Sequence, residues 1–399
     1  VRDASVGHPA DRRRPRPLMT RRSLLSGGVA MGLGALLASC SYDSRHTDGA
    51  SAAAGNASQG ATDSFPVTIE HVYGSTTVSS EPLRVAAVSS TNDDVVIALG
   101  VIPVGVPEAP LDVDGLRACP WTTSALEALG AGWDSQLAPA QYSQTNGINI
   151  EAISELEPDL ILGVSSSVTQ EEYTALSAIA PTIAYPAGGA EAADWQATTP
   201  IIGQALGRSA AAEELVAATI REVTASNVVY PHLKGSTFVA GTLTAGLQNG
   251  TLYTAADPRP QFLTLLGMKM AAAAAKAGAD SITSPTVSVP AQDCAAMSCD
   301  LLWVEAEDAQ AVEAVKADAV MQTIPAVAND SALFVTDAVT VASLQTPSPL
   351  SLLWAVEHHV PQIAAAIESA TAATATATAS TGATASTTAG PTATPPASP

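Results

Sequence analysis

The residues able to do chemistry in this chain are few, and their spacing points away from catalysis. The 399 residues include four Cys and six His. There is no Gly-x-Ser-x-Gly elbow, no His-Glu-x-x-His pair and no phosphate-binding loop. Local motifs therefore supply neither an activated nucleophile, nor a metal-activated water, nor a phosphate cradle. Convergent metal ligation is equally poorly served. His8 and His46 lie near the N-terminus, and His358 and His359 are helix neighbours that face different ways. One thiol does carry a recognisable chemistry. Leu37-Ala38-Ser39-Cys40 closes an apolar run at 27–37, which follows Thr20-Arg21-Arg22-Ser23-Leu24-Leu25. This is the pattern of a twin-arginine export signal ended by a lipobox, in which the Cys40 thiol is acylated and becomes the new N-terminus. The run is too short for a comfortable membrane span. A thioether-linked diacylglycerol plus a further acyl chain holds a protein to a membrane far better than one chain does. Residues 1–40 are thus expected to be a signal, with Met19 a natural start, and the rest an extracytoplasmic protein tethered by lipid.

Charge narrows the partners. Seven of the 17 basic residues and two of the 38 acidic residues precede Cys40, which leaves 10 basic and 36 acidic groups, a net −26. With no basic patch to neutralise phosphates, nucleic-acid binding is excluded. The chain is long enough for two cores. Residues 41–64, rich in Ser, Ala, Gly and Asn, read as a flexible tether, and residues 370–399, rich in Ala, Thr, Ser and Pro, as a disordered tail.

Between tether and tail, two stretches repeat one plan. In 65–208, buried strands at 84–89, 159–164 and 182–185 alternate with helices at 92–99, 151–156, 171–179 and 194–206, after a hairpin around Gly74. In 231–369, strands at 236–241, 300–304 and 333–336 alternate with helices at 260–266, 309–318 and 348–367. Residues 209–230 join them as one helix. Val216, Ile220, Val223 and Asn227 fall on one face, and Glu213, Glu214, Arg221 and Glu222 supply a polar one. Ser209 is the expected N-cap, and Pro231 stops the helix. The expected fold class is α/β: two lobes with mainly parallel sheets flanked by helices, joined by a single long linking helix.

Several blocks in this order resemble the iron–siderophore substrate-binding lipoproteins of ABC importers. Phe65-Pro66-Val67-Thr68-Ile69-Glu70-His71, Tyr73-Gly74-Ser75-Thr76-Thr77-Val78 and Pro82-Leu83-Arg84-Val85-Ala86 look like the opening of that family. Asn149-Ile150-Glu151-Ala152-Ile153, Leu156-Glu157-Pro158-Asp159-Leu160-Ile161, Ala256-Asp257-Pro258-Arg259 and Pro347-Ser348-Pro349-Leu350-Ser351 continue it. Each block alone is weak; their order over residues 65–367 is specific. The resemblance implies a type III periplasmic-binding-protein fold, an inter-lobe ligand cleft, a ferric siderophore as ligand rather than a cofactor, and an ABC permease with its ATPase as partners of a monomer. It implies no enzymatic activity and no metal ligated by the protein.

Ligands of open α/β sheets bind outside the carboxyl ends of the strands. A ferric siderophore brings its own oxygen ligands to iron, so the cleft needs aromatics, hydrogen-bond donors and, for an anionic complex, a cation. Arg259 leads the candidates, followed by Trp121 in its Cys-Pro-Trp loop; Tyr142, Tyr253, Asn92, Ser166 and Thr346 complete them, with Trp303 read as core. The acidity of the chain fits a neutral or cationic hydroxamate complex better than an anionic tris-catecholate. The resemblance further implies one permease-docking carboxylate per lobe. Glu171 and Glu172 match the first position. In the second lobe the usual Ser-Leu-Glu is Ser288-Val289-Pro290, which leaves Asp293 as an approximate substitute. An oxidising location favours a Cys294–Cys299 disulfide, with Cys119 either free or paired across the cleft. A haem- or cobalamin-binding relative on the same fold, and a non-transporting surface or sensor lipoprotein, are the alternative functions.

Overall fold

A computed structural model describes residues 61–89, 91–109, 116–188, 194–246, 249–279, 284–294 and 297–371. The expected signal with Cys40, nearly all of the tether, and residues 372–399 of the tail lie outside them. The chain enters through an antiparallel hairpin, β1 (Val67–His71) and β2 (Gly74–Val78), that turns at Gly74. The first lobe then builds a sheet from β3 (Val85–Ala87), β4 (Gly105–Pro107), β5 (Ala140–Tyr142), β6 (Leu160–Leu162) and β7 (Thr182–Ile183). The spatial order is β5-β4-β3-β6-β7, and every pairing is parallel. These strands are short and apolar; Val85, Ala86, Ala87, Leu160, Ile161 and Leu162 are fully buried, because helices cover both faces.

The second lobe departs from the expected parallel plan. Its strands are β8 (Thr237–Thr242), β9 (Asn249–Tyr253), β10 (Lys269–Met270), β11 (Thr286–Pro290), β12 (Leu301–Glu305) and β13 (Leu333–Val335). The order is β11-β9-β8-β12-β13, with β10 also paired to β8. β8–β12 and β12–β13 are parallel, while β8–β9 and β9–β11 are antiparallel. The sequence signal misses β9 and β11 because one face of each is open. Their polar positions, Asn249, Thr251, Thr286 and Ser288, break the continuous apolar run that marks a buried strand. Pro290 closes β11 on the sheet edge, where a missing N–H is tolerated.

The linking helix runs Ser209–Val229 and buries Ala212, Thr219, Val223 and Ser226. Ser209 is inside the helix rather than its N-cap, and the Asp63 carboxylate accepts from the Ser209 N–H instead, at 3.0 Å. Thr62 and Asp63 also donate their N–H groups to the Gly207 carbonyl. The last residues assigned to the tether are therefore bound to the start of the linking helix. At the other end, residues 370 and 371 continue the helix 360–371, so the tail begins later than expected.

Helix Pro349–His358 gives the fold its main surprise. It belongs to the second lobe by sequence, yet it packs on the linking helix and on the first-lobe helices Asn92–Ala98 and Pro120–Ala128. Trp303, as expected, is core: it is fully buried and donates its indole N–H to His359 Nε2 at 2.9 Å. Burial lowers the His359 imidazole to about 4. His358 points the other way and stacks on Trp354, with centroids 4.3 Å apart.

Candidate functional site

An inter-lobe pocket is enclosed by residues from both sides. Thr91, Asp93, Asp94, Glu108, Cys119 and Trp121 are among its first-lobe walls, and Ala342 and Thr346 come from the second lobe. The space between these walls is open to solvent. The loop that leads from β3 into helix Asn92–Ala98 is strained. Ser89 has φ 66° and Thr91 φ 80°, left-handed values that cost a non-glycine residue energy and tend to cluster at ligand sites.

Asn92 explains where the pocket sits. The strand order reverses between β3 and β6, and open sheets bind ligands in the crevice at such a switch. Here Asn92 fills that crevice. Fully buried, it donates to the Val88 carbonyl at 2.5 Å and accepts from the Ser165 N–H at 3.0 Å, stitching the two strand ends together. Its role in this structure is that stitch, and the open space lies farther toward the second lobe.

Trp121 is not the loop aromatic that the sequence suggests. It occupies the second position of helix Pro120–Ala128, which Pro120 starts at a position where its missing N–H costs nothing. The indole N–H donates to Asp94 at 2.7 Å, and the ring lies 5.6 Å from Trp354 of the second lobe. Asp94 is the residue that sequence reasoning missed. Its carboxylate accepts from Trp121 Nε1, from Thr122 Oγ1 at 2.7 Å and, across the lobe boundary, from Ser348 Oγ at 2.6 Å. Ser348 also begins the capping box of helix Pro349–His358. Burial raises the Asp94 pKa against these three donors, and burial plus the charge of Asp94 raises Asp93 well above the ordinary carboxyl value. Burial, with both aspartates nearby, pushes the Cys119 thiol up to about 12, so it is a neutral thiol.

The other candidates divide. Tyr142 is a core residue: it is 3% exposed and its hydroxyl donates to the Ala87 carbonyl beneath the sheet, so it presents no surface to the cleft. Ser166 is buried and turns its hydroxyl back to Gly163 O at 2.6 Å. Thr346 does line the pocket. Arg259 and Tyr253 form a cluster with two acids. Arg259 Nη1 meets Asp257 Oδ2 at 2.7 Å, its Nε lies 3.3 Å from Glu305 Oε2, and its guanidinium covers the Tyr253 ring at 4.0 Å. The Tyr253 hydroxyl donates to Glu305 Oε2 at 2.8 Å. Asp257 also caps helix Pro258–Leu265 through the Arg259 N–H. Burial raises the Asp257 pKa, and the Arg259 charge opposes that rise. The sequence singles out Arg259 as a contact, and neither acid as its partner, although residues 305–308 fall at a strand end where a ligand could sit. Asp257 stands in the same Asp-Pro-Arg block as a visible cap signal, whereas Glu305 arrives from β12.

Of the docking carboxylates, Glu172 is engaged. Its Oε2 accepts from both the N–H and the hydroxyl of Thr169 at 2.8 Å in a capping box, which lowers its pKa. Glu171 beside it is exposed, and so is Asp293 on the short helix Ala291–Cys294. The expected Cys294–Cys299 disulfide is not formed; Cys119, Cys294 and Cys299 are all free thiols. Cys294 is buried, and both Cys294 and Cys299 face one apolar cavity with Met297, Val239 and Leu302, where burial raises each thiol pKa.

A family model described as periplasmic binding protein matches residues 85–338. This chain belongs to the periplasmic binding protein family. It is 30% identical over 144 residues to the Fe(3+) dicitrate-binding periplasmic protein FecB of Escherichia coli K12, covering 36% of this chain and 43% of that one. It is 28% identical over 152 residues to the probable siderophore-binding lipoprotein YfiY of Bacillus subtilis 168, covering 38% and 41%. The chain thus spans about two fifths of the length of these curated relatives. Among solved structures, PiaA of Streptococcus pneumoniae TIGR4 in complex with ferrichrome superposes with a TM-score of 0.64 at 27% identity, over 76% of this chain and 99% of that one. A periplasmic solute binding protein of Mycobacterium smegmatis gives 0.62 at 25% identity over the same shares. The fold class is therefore the one expected, and the family is one of binding proteins for transport rather than enzymes.

Proposed function

We propose that this protein is a lipid-anchored, extracytoplasmic binding protein that captures a ferric siderophore between its lobes and delivers it to an ABC permease. The observation that carries this reading is the pocket shared by Thr91, Asp93 and Trp121 of one lobe and Ala342 and Thr346 of the other, in a chain of this family. Ligand-binding relatives support the ligand class: one is named for ferric dicitrate, another for a siderophore, and a solved structure holds ferrichrome. Cys40 supplies the anchor in this reading. Trp121 and Thr346 belong to the ligand wall in this reading.

Trp121 provides the test. Titrating the detergent-solubilised full chain with ferrichrome, ferrioxamine B, ferric dicitrate or haemin should quench tryptophan fluorescence with at least one of the three ferric chelates. Quenching by haemin alone would replace this reading with the haem-binding one. Docking in this reading falls to Glu171 and Asp293, the exposed acids, rather than to Glu172, which its capping box holds. Glu171→Ala with Asp293→Ala should cut cellular iron uptake about tenfold, the scale of one or two lost ion pairs at an interface, while leaving ligand affinity unchanged. Uptake equal to the parent's would favour a non-transporting lipoprotein, the role the missing acid at Pro290 also suits.

A further inference from the structure

Two neighbouring carboxyls line the inter-lobe pocket with no cation beside them. Asp93 and Asp94 both belong to its wall, Glu108 stands on the same wall, and among the described residues no Lys or Arg lines it. Asp93 is 8% exposed and Asp94 4%. Adjacent buried carboxyls without a counter-ion do not both ionise at neutral pH, so the pair keeps a proton. The hydrogen bonds decide which member holds it. Asp94 accepts from three side chains, Trp121 and Thr122 at 2.7 Å and Ser348 at 2.6 Å, which is the setting of a carboxylate. Asp93 has main-chain support, from the N–H groups of Thr91 and Asp94 among others, and burial with the Asp94 charge outweighs it. The surrounding elements bring no positive charge to offset this. Cys119, at the start of helix Pro120–Ala128, is a neutral thiol, and burial keeps the Tyr142 phenol protonated. Helix Trp195–Ala205, packed on helix Asn92–Ala98, carries no titratable side chain. Helix Pro349–His358 meets the pair through Ser348 at its start, while Glu357 and His358 stand at its opposite end. Asp93 is thus the protonated member, and a protonated carboxyl has one O–H to donate.

We infer that Asp93 is a specificity-determining residue of this pocket: as a neutral acid it donates a hydrogen bond to an iron-bound oxygen of a ferric hydroxamate, and so favours the iron-loaded chelator over the iron-free one. This rests on the ferric-chelate reading above and names the group that distinguishes the two forms. In a free hydroxamic acid the N–O oxygen carries a proton and donates. Iron displaces that proton, and the oxygen becomes an acceptor with negative character. A carboxylic acid fits the loaded form, whereas a carboxylate, which can only accept, fits the empty one. Asp93 provides this contrast without adding a charge to a wall that already holds Asp94 and Glu108.

The test is a ratio of affinities. The detergent-solubilised full chain is titrated by calorimetry with ferrichrome and ferrioxamine B, each with and without iron, and with ferric dicitrate. The parent should bind at least one of the two hydroxamates at least tenfold more tightly when it carries iron. Asp93→Leu, similar in shape but without a donor, should narrow that ratio about tenfold, the scale of one hydrogen bond to a charged group. Asp93→Asn, whose amide N–H replaces the O–H, should narrow it less than threefold. Infrared spectra keep the inference testable if Asp93→Leu does not fold. At pH 7 the parent should show a protonated-carboxyl stretch that Asp93→Asn lacks, and the ferric hydroxamate, unlike its iron-free form, should shift it to lower frequency. No such difference between parent and Asp93→Asn, a band that ignores the ferric ligand, or a ratio unchanged in Asp93→Leu overturns this inference and leaves the ferric-chelate reading standing. So does binding of ferric dicitrate alone. Failure of all three ferric complexes to bind overturns both.

Discussion

At the scale of single residues, the inter-lobe boundary is governed by two adjacent aspartates with opposite circumstances. Asp94 receives three side-chain donors, from Trp121, Thr122 and Ser348. Asp93 is also buried, and its carboxylate accepts from backbone N–H groups, those of Thr91 and Asp94 among them. Its pKa is raised well above the ordinary value, first by burial and then by the charge of Asp94. The consequence for stability has a definite sign. A carboxyl with a raised folded pKa holds its proton in the folded chain after the unfolded chain has released it. Stability therefore falls as pH rises from about 4, the unfolded carboxylate value, toward the folded one. Asp93→Asn removes this effect without changing the shape of the side chain. The variant should be more stable than the parent at pH 7, with a higher urea midpoint, and the two should converge near pH 4. Urea midpoints at the two pH values check this; a parent more stable at pH 7 would show Asp93 to be held by compensating donors. The acid run Asn92-Asp93-Asp94 is visible in the sequence. Its partner Ser348 lies 254 positions away; the sequence offers Ser348 only within a Pro-Ser-Pro block, with nothing to pair it to Asp94.

At the scale of elements, the molecule is organised by a tight pair of helices. Helix Trp195–Ala205 turns at Gly207, whose φ of 68° needs glycine, and the linking helix Ser209–Val229 folds back against it. Gly203 makes the approach possible. A Cβ there would overlap the Ala212 Cβ. Gly203→Ala gains up to about 1 kcal/mol of helix propensity, but overpacking a fixed helix contact costs about 1–3 kcal/mol, and the contact should win. A lower urea midpoint is expected; a higher one would mean that the two helices slide apart freely. The helix Ser209–Val229 is legible in sequence as a helix because 21 residues with a spaced apolar face and a stopping proline leave little else to be. Its cap is not, because Asp63 stands in a Ser- and Ala-rich stretch whose composition signals only a tether. The same limit hides helix Pro120–Ala128, whose Trp-Thr-Thr-Ser opening lacks a strong helical period, and hides β9 and β11, half-exposed strands on the edge side of their sheet. Buried parallel strands announce themselves by continuous apolar runs, whereas elements with one polar face need the tertiary contact that only the fold supplies.

At the scale of the whole molecule, the lobes are joined by more than the linking helix. That helix would span about 30 Å at 1.5 Å per residue. A single strut of this kind could bend. Here helix Pro349–His358 runs back over the boundary, packing on the linking helix and on both first-lobe helices that wall the pocket. The Ser348–Asp94 bond and the Trp121–Trp354 contact pin it there. Any rotation that opens the cleft widely must break the buried Ser348–Asp94 hydrogen bond and pull the two indole rings apart. Ligand capture should therefore change the shape of the molecule little. On saturation with the best of the ferric chelates, the radius of gyration from solution scattering should shift by less than about 1 Å, the range of pre-organised binding sites. Ser348→Ala removes the inter-lobe bond together with the helix cap, and should allow a larger shift and faster ligand release. A contraction of several ångströms in the parent would instead identify a hinged closure, and would place the pivot at the ends of the linking helix, where Gly207 and Pro231 interrupt it.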